Sequence, residues 1–323
     1  MKKFYLPILC LSMLTSIVAF SQAGSPDPTF NGNGLVSTFF FPEAHTNAFG
    51  VMVQNDNAIV VTGFSGVPNS KSIGILLRYL EDGSPDQSFN GSGKVYIAYP
   101  DVHCLGSGSL QQPDGKIVTL VRLSGLTKDS IALFRFNPDG TSDFTFDEDG
   151  IATLDMGKNY QGPGSLAIQS DGKLVVGGYV GNANESFDQF FIARFLPNGA
   201  HDTGFDGDGF VITTVGETYT NVASVLIQPD GKIIAAGYAT FDSLESITVV
   251  RYLPNGALDH TFHQDGISHI TIAGANAAGT GAILQPDGKI VVGGNVNVIN
   301  SKSDFVAVRF KSDGYPDNSF DGD

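Results

Sequence analysis

An all-β propeller of five complete four-stranded antiparallel blades, followed by the start of a sixth repeat, is the fold this sequence predicts. Three observations predict it. A dozen residues recur five times at nearly constant spacing. A second motif, rich in Asp and Gly, recurs in step with them. The segments between the motifs are short apolar runs bounded by turn residues, and none carries a helical stripe of useful length.

The dozen residues read VQNDNAIVVTGF from Val53, QQPDGKIVTLVR from Gln111, IQSDGKLVVGGY from Ile168, IQPDGKIIAAGY from Ile227 and LQPDGKIVVGGN from Leu284. Their turns are spaced 58, 57, 59 and 57 residues apart. The second motif reads SPDPTFNGNG from Ser25, SPDQSFNGSG from Ser84, TSDFTFDEDG from Thr141, AHDTGFDGDG from Ala200, ALDHTFHQDG from Ala257 and YPDNSFDGD from Tyr315. The repeats therefore run 25–83, 84–140, 141–199, 200–256 and 257–314, with a partial copy at 315–323. A period of this length marks units that bury their faces on their neighbours.

One repeat serves for all. In residues 200–256 the runs are FVITTV from Phe210, ASVLIQ from Ala223, KIIAAGY from Lys232 and SITVVRYL from Ser246. Pro-Asp-Gly after the second run and Pro-Asn-Gly after the fourth suit a type I turn followed by Gly at positive φ, which closes a hairpin. Four antiparallel strands per unit make each unit one blade. A flat β-solenoid is the alternative, but its repeats are normally shorter. Five blades either close a small ring or form an arc of a larger one. The chain stops at Asp323, where other copies continue with Gly and a new strand. That favours an incomplete chain over a nine-residue cap on the first blade.

The first residues, MKKFYLPILCLSMLTSIVAFSQAG, pair a Lys2–Lys3 n-region with an apolar h-region and small residues before Gln22. Residues 1–21 are thus expected to be a secretory signal peptide, with a propeller domain over 22–323 that is secreted, periplasmic or on the cell surface. Cys104 alone remains after cleavage, so no internal disulfide forms, and it reads as a buried apolar residue. A net charge of −15 argues against nucleic acid and anionic membranes as partners. No membrane insertion is expected after the leader is removed.

At these motifs the chain resembles the delta-60 repeat family, bacterial secreted proteins with repeats of the form QPDGKIVVGG…FAVARYLPDGSLDTTFG. The resemblance covers residues 25–323. It implies a propeller-like fold and no firmly attached activity. The first copy departs from the pattern, with Asn57-Ala58 in place of Gly-Lys, which puts its turn geometry in question.

Some repeated residues read as parts of the fold. Arg78, Arg135, Arg194, Arg251 and Arg309 each precede an Asp by eight residues: Asp86, Asp143, Asp202, Asp259 and Asp317. A charged pair present in every blade reads as a brace at the blade junction. The repeated Phe, from Phe30 to Phe320, reads as an inter-blade plug. Asp143, Asp147 and Asp149 in one copy, and Asp202, Asp206 and Asp208 in the next, form candidate calcium ligand sets on Gly-rich loops. Asn, Ser and His fill the same slots elsewhere, and that favours turn chemistry. His260, His263 and His269 match no strong zinc spacing. No cofactor is otherwise expected, and no nucleophile, metalloprotease or phosphate-loop motif occurs.

The connections that differ between copies all emerge on one face, opposite the uniform PDG and PNG turns. Loops on a rigid scaffold commonly carry recognition. Tyr99, Tyr160, Phe187, Tyr219 and Phe241 are the candidate binding residues there. The functional expectation is a non-catalytic binding or scaffold module for a cell-surface protein or carbohydrate. A polysaccharide lyase or hydrolase, and a passive adhesive repeat of a larger surface protein, are the alternatives. An enzyme would need an asymmetric cluster of carboxylates, His or Tyr at one mouth, and none stands out in the sequence.

Overall fold

The computed structural model describes residues 25–41, 43–66, 70–182, 187–298 and 303–320. The expected leader, residues 1–21, lies outside them. Nineteen β-strands and no α-helix occur among the described residues. Blade 1 is β1 (His45–Val53), β2 (Ile59–Gly66), β3 (Ile73–Tyr79) and β4 (Lys94–Ile97). Blade 2 is β5 (His103–Gln111), β6 (Ile117–Ser124), β7 (Asp129–Phe136) and β8 (Ile151–Leu154). Blade 3 is β9 (Tyr160–Ile168), β10 (Leu174–Gly181), β11 (Gln189–Phe195) and β12 (Phe210–Thr213). Blade 4 is β13 (Thr220–Ile227), β14 (Ile233–Phe241), β15 (Leu244–Tyr252) and β16 (Ile267–Ile270). Blade 5 is β17 (Ala275–Leu284), β18 (Ile290–Val298) and β19 (Ser303–Phe310). Each sheet is an antiparallel meander in chain order.

The all-β propeller class holds, with two corrections to the expected detail. First, blade and repeat are out of phase. The FVIT strand of repeat 200–256 pairs with β11 and so closes blade 3, not blade 4. The Asp/Gly motif lies between the third and fourth strands of one sheet, and its turn passes the chain from one to the other. Second, the fifth sheet has three strands among the described residues, so four blades rather than five are four-stranded. The segment Leu35–Phe40, which stands where a fourth strand stands in later copies, joins no sheet.

The first strands of successive blades meet, β1 on β5, β5 on β9, β9 on β13 and β13 on β17, which places them nearest the axis. A register shift interrupts the pairing of first and second strands in every blade, as at Gly106/Gly108 and Val222/Ser224. Small residues are required there because backbones nearly touch. A Cβ on Gly164 would sit 1.6 Å from the Val222 carbonyl oxygen of the next blade. Between blades lie separate apolar layers. One holds Leu133, Ala152 and Leu154 of blade 2 against Leu174, Val176 and Phe191 of blade 3.

The PDG turns close as expected, with Gly115, Gly172, Gly231 and Gly288 all at positive φ. Asn57 takes the same place in the first copy with φ of 64°. Asn tolerates the left-handed region better than other non-glycine residues, so the departure from the motif leaves the turn intact.

Candidate functional site

The repeated charges are best seen at the junction of blades 4 and 5. Arg251 Nε donates to Asp259 Oδ2 at 2.7 Å, and Nη1 reaches across to the Ser312 carbonyl of blade 5 at 2.7 Å. The guanidinium lies 4.6 Å from the Phe262 ring centroid. Arg135 repeats the arrangement, with an ion pair to Asp143 at 2.7 Å and a bond to the Pro197 carbonyl of blade 3 at 2.6 Å. Arg194 pairs with Asp202 and bonds the Pro254 carbonyl of blade 4. Arg78 pairs with Asp86 and also with Asp56. Arg309 pairs with Asp317 at 2.8 Å.

A third partner is hidden in the PDGK motif. Lys116, Lys173, Lys232 and Lys289 approach the same aspartates, at 3.0, 3.5, 3.2 and 3.2 Å. The first copy has Ala58 in the lysine's place, and there Arg78 turns to Asp56 instead. Burial alone would raise the Asp259 carboxyl. Hydrogen bonds from Thr261 and Lys232 and the charge of Arg251 outweigh it and hold the pKa at about 2. Asp143 and Asp317 are likewise held below the usual carboxylate range.

These same bonds remove the calcium reading. Asp143 and Asp202 are committed to Arg and Lys. Asp149 and Asp208 accept the backbone N–H of Ile151 and Phe210, at 2.8 and 3.2 Å, which is turn chemistry. Asp147 and Asp206 stand at positive φ in the same turns. Among the described residues no group of three or more His, Cys, Asp or Glu could hold a metal. Of the three histidines, His269 stacks on Phe241 and lies near enough to His263 and Asp265 to feel their charge, while His263 also lies beside Tyr315.

The candidate binding residues Tyr99, Tyr160, Phe187, Tyr219 and Phe241 all stand at the strand ends that carry the variable connections, but they are not gathered in one pocket. Tyr219 borders a pocket. Phe241 stacks on the His269 ring at 3.8 Å between centroids and is partly buried against the core. Tyr99, Tyr160 and Phe187 are exposed, and none lines a described pocket.

What the fold does assemble is a central pocket of about 700 Å³, lined by residues of all five blades. Its chemistry comes from Arg122, Tyr179, Asn221 and Tyr238, with Phe49 and Phe64 on one side. An adjoining pocket of about 410 Å³ shares Tyr179, Asn221 and Tyr238 and adds Asp188, Tyr219 and Glu245. These additional residues lie at the starts of β11, β13 and β15, the end of each blade that carries the variable connections. The site therefore opens on that face.

The sequence holds a signal for this site. Phe64, Arg122, Tyr179, Tyr238 and Asn295 are each the last residue of the repeated dozen. The eleven positions before them serve the hairpin, whereas this position varies and faces the axis in four of the five copies. Gly162 opposite makes room for the Tyr179 ring, since a Cβ there would lie 2.1 Å from Cε1.

The site's electrostatics are uneven. Burial opposes charge on Arg122, but Asp129, at 2.5 Å from Nη2, and the neighbouring Tyr179 outweigh it and raise the guanidinium pKa. Arg122 Nε is buried without a hydrogen-bond partner. Burial raises the Tyr238 hydroxyl pKa, and the charges of Glu245, Tyr179 and Asp188 add to it. Burial also raises the Asp188 carboxyl. The arrangement offers aromatic walls, one cationic donor and two carboxylates at one mouth. This is the asymmetric cluster that the sequence alone does not display.

Comparison with solved structures supports the architecture. The chain is similar to an ulvan lyase of polysaccharide lyase family PL25, with a TM-score of 0.52 and 11% identity, covering 83% of this chain and 64% of that one. The same values hold for the enzyme bound to -[GlcA(1-4)Rha3S]- and for a second structure of it. It is also similar to a protein of unknown function from Dyadobacter fermentans, with a TM-score of 0.50 and 13% identity, covering 86% of this chain and 79% of that one. At such identities the likeness shows the fold alone. No curated protein matches the chain. The family described as "Domain of unknown function (DUF5122) beta-propeller" matches residues 54–89, 112–146, 169–205, 228–262 and 285–320. Those segments make up more than half of the chain and coincide with the repeated hairpins and motifs, so the protein belongs to the DUF5122 β-propeller family.

Proposed function

We propose that the protein is a secreted saccharide-binding propeller whose ligand enters the central pocket from the variable-connection face. The observation that carries this reading is the convergence of Arg122, Tyr179, Asn221 and Tyr238 on one pocket. Aromatic rings offer flat apolar faces to a sugar, and guanidinium and amide groups supply the directional hydrogen bonds that fix its orientation. Rings at Tyr179 and Tyr238 are held by their strands, so little side-chain freedom is lost on binding.

Binding of the purified protein to a panel of neutral and acidic polysaccharides tests the reading. Tyr238→Ala and Tyr179→Ala should each weaken binding by roughly tenfold, about 1.4 kcal/mol. Tyr99→Ala, outside the pocket, should leave it unchanged. Equal binding by all three variants, or no binding to any polysaccharide, would sink the proposal.

The cluster of Tyr238, Asp188 and Glu245 favours cleavage as the second reading. A hydroxyl and a carboxyl with raised pKa values in one mouth suit proton transfer. The ulvan lyase of similar fold is a polysaccharide lyase by its own description. Assay of new reducing ends in the same wells separates the two readings. Release by the protein that Tyr238→Phe abolishes, with binding retained, would make it an enzyme.

A further inference from the structure

One position at the head of the third strand recurs beside the central site. Ser72, Asp129, Asp188, Glu245 and Ser303 hold it in blades 1 to 5, each two residues before the strand partner of the dozen's last residue. In blades 2, 3 and 4 it is acidic. There the backbone at this position is tied to the following blade. Asp129 N–H donates to the Asn159 carbonyl, Asp188 N–H to the Thr218 carbonyl, and Glu245 N–H to Asn276 Oδ1. The three carboxylates therefore hold equivalent places around the axis.

Blade 2 shows what a carboxylate at this place takes as a partner. Arg122, the last residue of its dozen, donates from Nη2 to Asp129 Oδ2 at 2.5 Å. In blades 3 and 4 the arginine's place belongs to Tyr179 and Tyr238, which bring no positive charge. Asp188 and Glu245 form no ion pair among the described residues. Burial alone acts on the Asp188 carboxyl and raises it, with no cation to oppose it. Gly181 leaves room for this carboxylate, since a Cβ there would lie 2.4 Å from Asp188 Oδ1. Asp188, Glu245 and three tyrosines, Tyr179, Tyr219 and Tyr238, line one pocket of about 410 Å³ that has no Lys, Arg or His on its wall.

We propose that this pocket is a subsite for an ammonium group, and that the saccharide taken by the central site is a basic one with free amines on its sugars. The inference rests on the saccharide reading above and adds the charge of the ligand. The ligand's ammonium plays for Asp188 and Glu245 the part that the Arg122 guanidinium plays for Asp129. It donates hydrogen bonds to the carboxylates, and the tyrosine rings on the same wall attract it through their π-electrons. A uronic or sulfated sugar would instead bring negative charge to two uncompensated carboxylates, and like charges in a shared mouth repel. Arg122 does not reverse this balance, because Asp129 already offsets its charge. Its Nε, buried without a partner, and Asn221 serve the neutral oxygens of the sugar.

Titration calorimetry with four probes tests this: an oligomer of glucosamine, the same oligomer N-acetylated, an oligomer of glucuronate, and oligolysine. The pH is set so that the amines are protonated and the carboxylates ionised. The glucosamine oligomer should bind at least roughly tenfold more tightly than its N-acetylated counterpart. Asp188→Asn and Glu245→Gln keep the side-chain shape and remove the charge. Each should erase most of that preference and leave affinity for the N-acetylated oligomer unchanged. Glu81→Gln, at an exposed carboxylate on the opposite face, should change nothing, which separates the subsite from general attraction of a basic oligomer to an acidic protein. Equal affinity for the two oligomers, a preference for glucuronate, or a preference that neither variant moves would each overturn the inference. Tyr238-dependent binding of the N-acetylated or glucuronate oligomer would then leave the saccharide reading standing. Binding of no sugar at all would overturn both, and oligolysine binding lost in Glu245→Gln would in that case mean a basic peptide instead.

Discussion

Arg251 joins three things at once: a carboxylate of its own blade, a carbonyl of the next, and an aromatic ring between them. Arg251→Ala removes all three and leaves the buried Asp259 with Lys232 and the hydrogen bonds from Thr261 to offset it. A loss of about 3 kcal/mol is expected, read as a lowered midpoint in urea. An unchanged midpoint would show that the braces do not stabilise the junction. The pH dependence follows from Asp259. A carboxyl held at about 2 contributes stability that is complete above its unfolded value of 3.8 and is lost as pH falls through 2. The stability gap between the protein and Asp259→Asn should therefore be constant above roughly pH 5 and close between about pH 4 and 2. The eight-residue Arg–Asp spacing makes this pair readable from sequence. The lysine is not, because Gly-Lys after Pro-Asp reads first as a turn ending, and only folding brings Lys232 beside Asp259.

At the scale of the element, strand and turn positions were largely legible. Short apolar runs and PDG turns mark each hairpin, and Asn57 keeps the turn that its replacement of Gly put in question. The assignment of strands to sheets was not legible. A strand that follows a motif looks like the first strand of a new unit, yet β12 pairs backward with β11. The reason lies in the plug. Phe205 is fully buried and sits against Gly256 of blade 4, while Asp206 N–H donates to the Asn255 carbonyl at 2.9 Å. The motif thus latches onto the next blade before the chain returns to complete its own. Phe205→Ala should cost about 3–5 kcal/mol through the cavity it leaves, measured by thermal or urea unfolding. A loss below 1 kcal/mol would mean that the motif's backbone bonds, not the ring, hold the junction. The central site was half legible for a related reason. The varying last residue of each dozen was visible as a column, but Asp188 and Glu245 come from other strands, and nothing local marks them as neighbours of Tyr238.

For the whole molecule, stability should be graded along the chain. Among the described residues, blades 2, 3 and 4 are covered on both faces, blade 1 is covered on its outer side only by Leu35–Phe40, and blade 5 packs on blade 4 but leaves its other face, with Phe305, exposed. In a repeat array each unit is stabilised chiefly by its neighbours. Amide hydrogen exchange at low protein concentration should be slowest in β6, β10 and β14 and fastest in β18 and β19. Uniform protection across the five blades would show that the end faces are covered in solution even in the single chain.

The offset between repeat and blade also bears on how such a protein can change size. A unit that begins in one sheet and ends in the next carries a plug together with its socket, as residues 200–256 hold both Phe205 and Gly256, while the arginine that pairs with its aspartate belongs to the unit before, as Arg194 does for Asp202. Duplicating or deleting one unit of DNA therefore keeps each plug with its own socket, and the arginine at the new boundary meets an aspartate because every unit supplies one at the same place. The lineage can alter its blade number while the residues at the mouth of the pocket vary one position at a time.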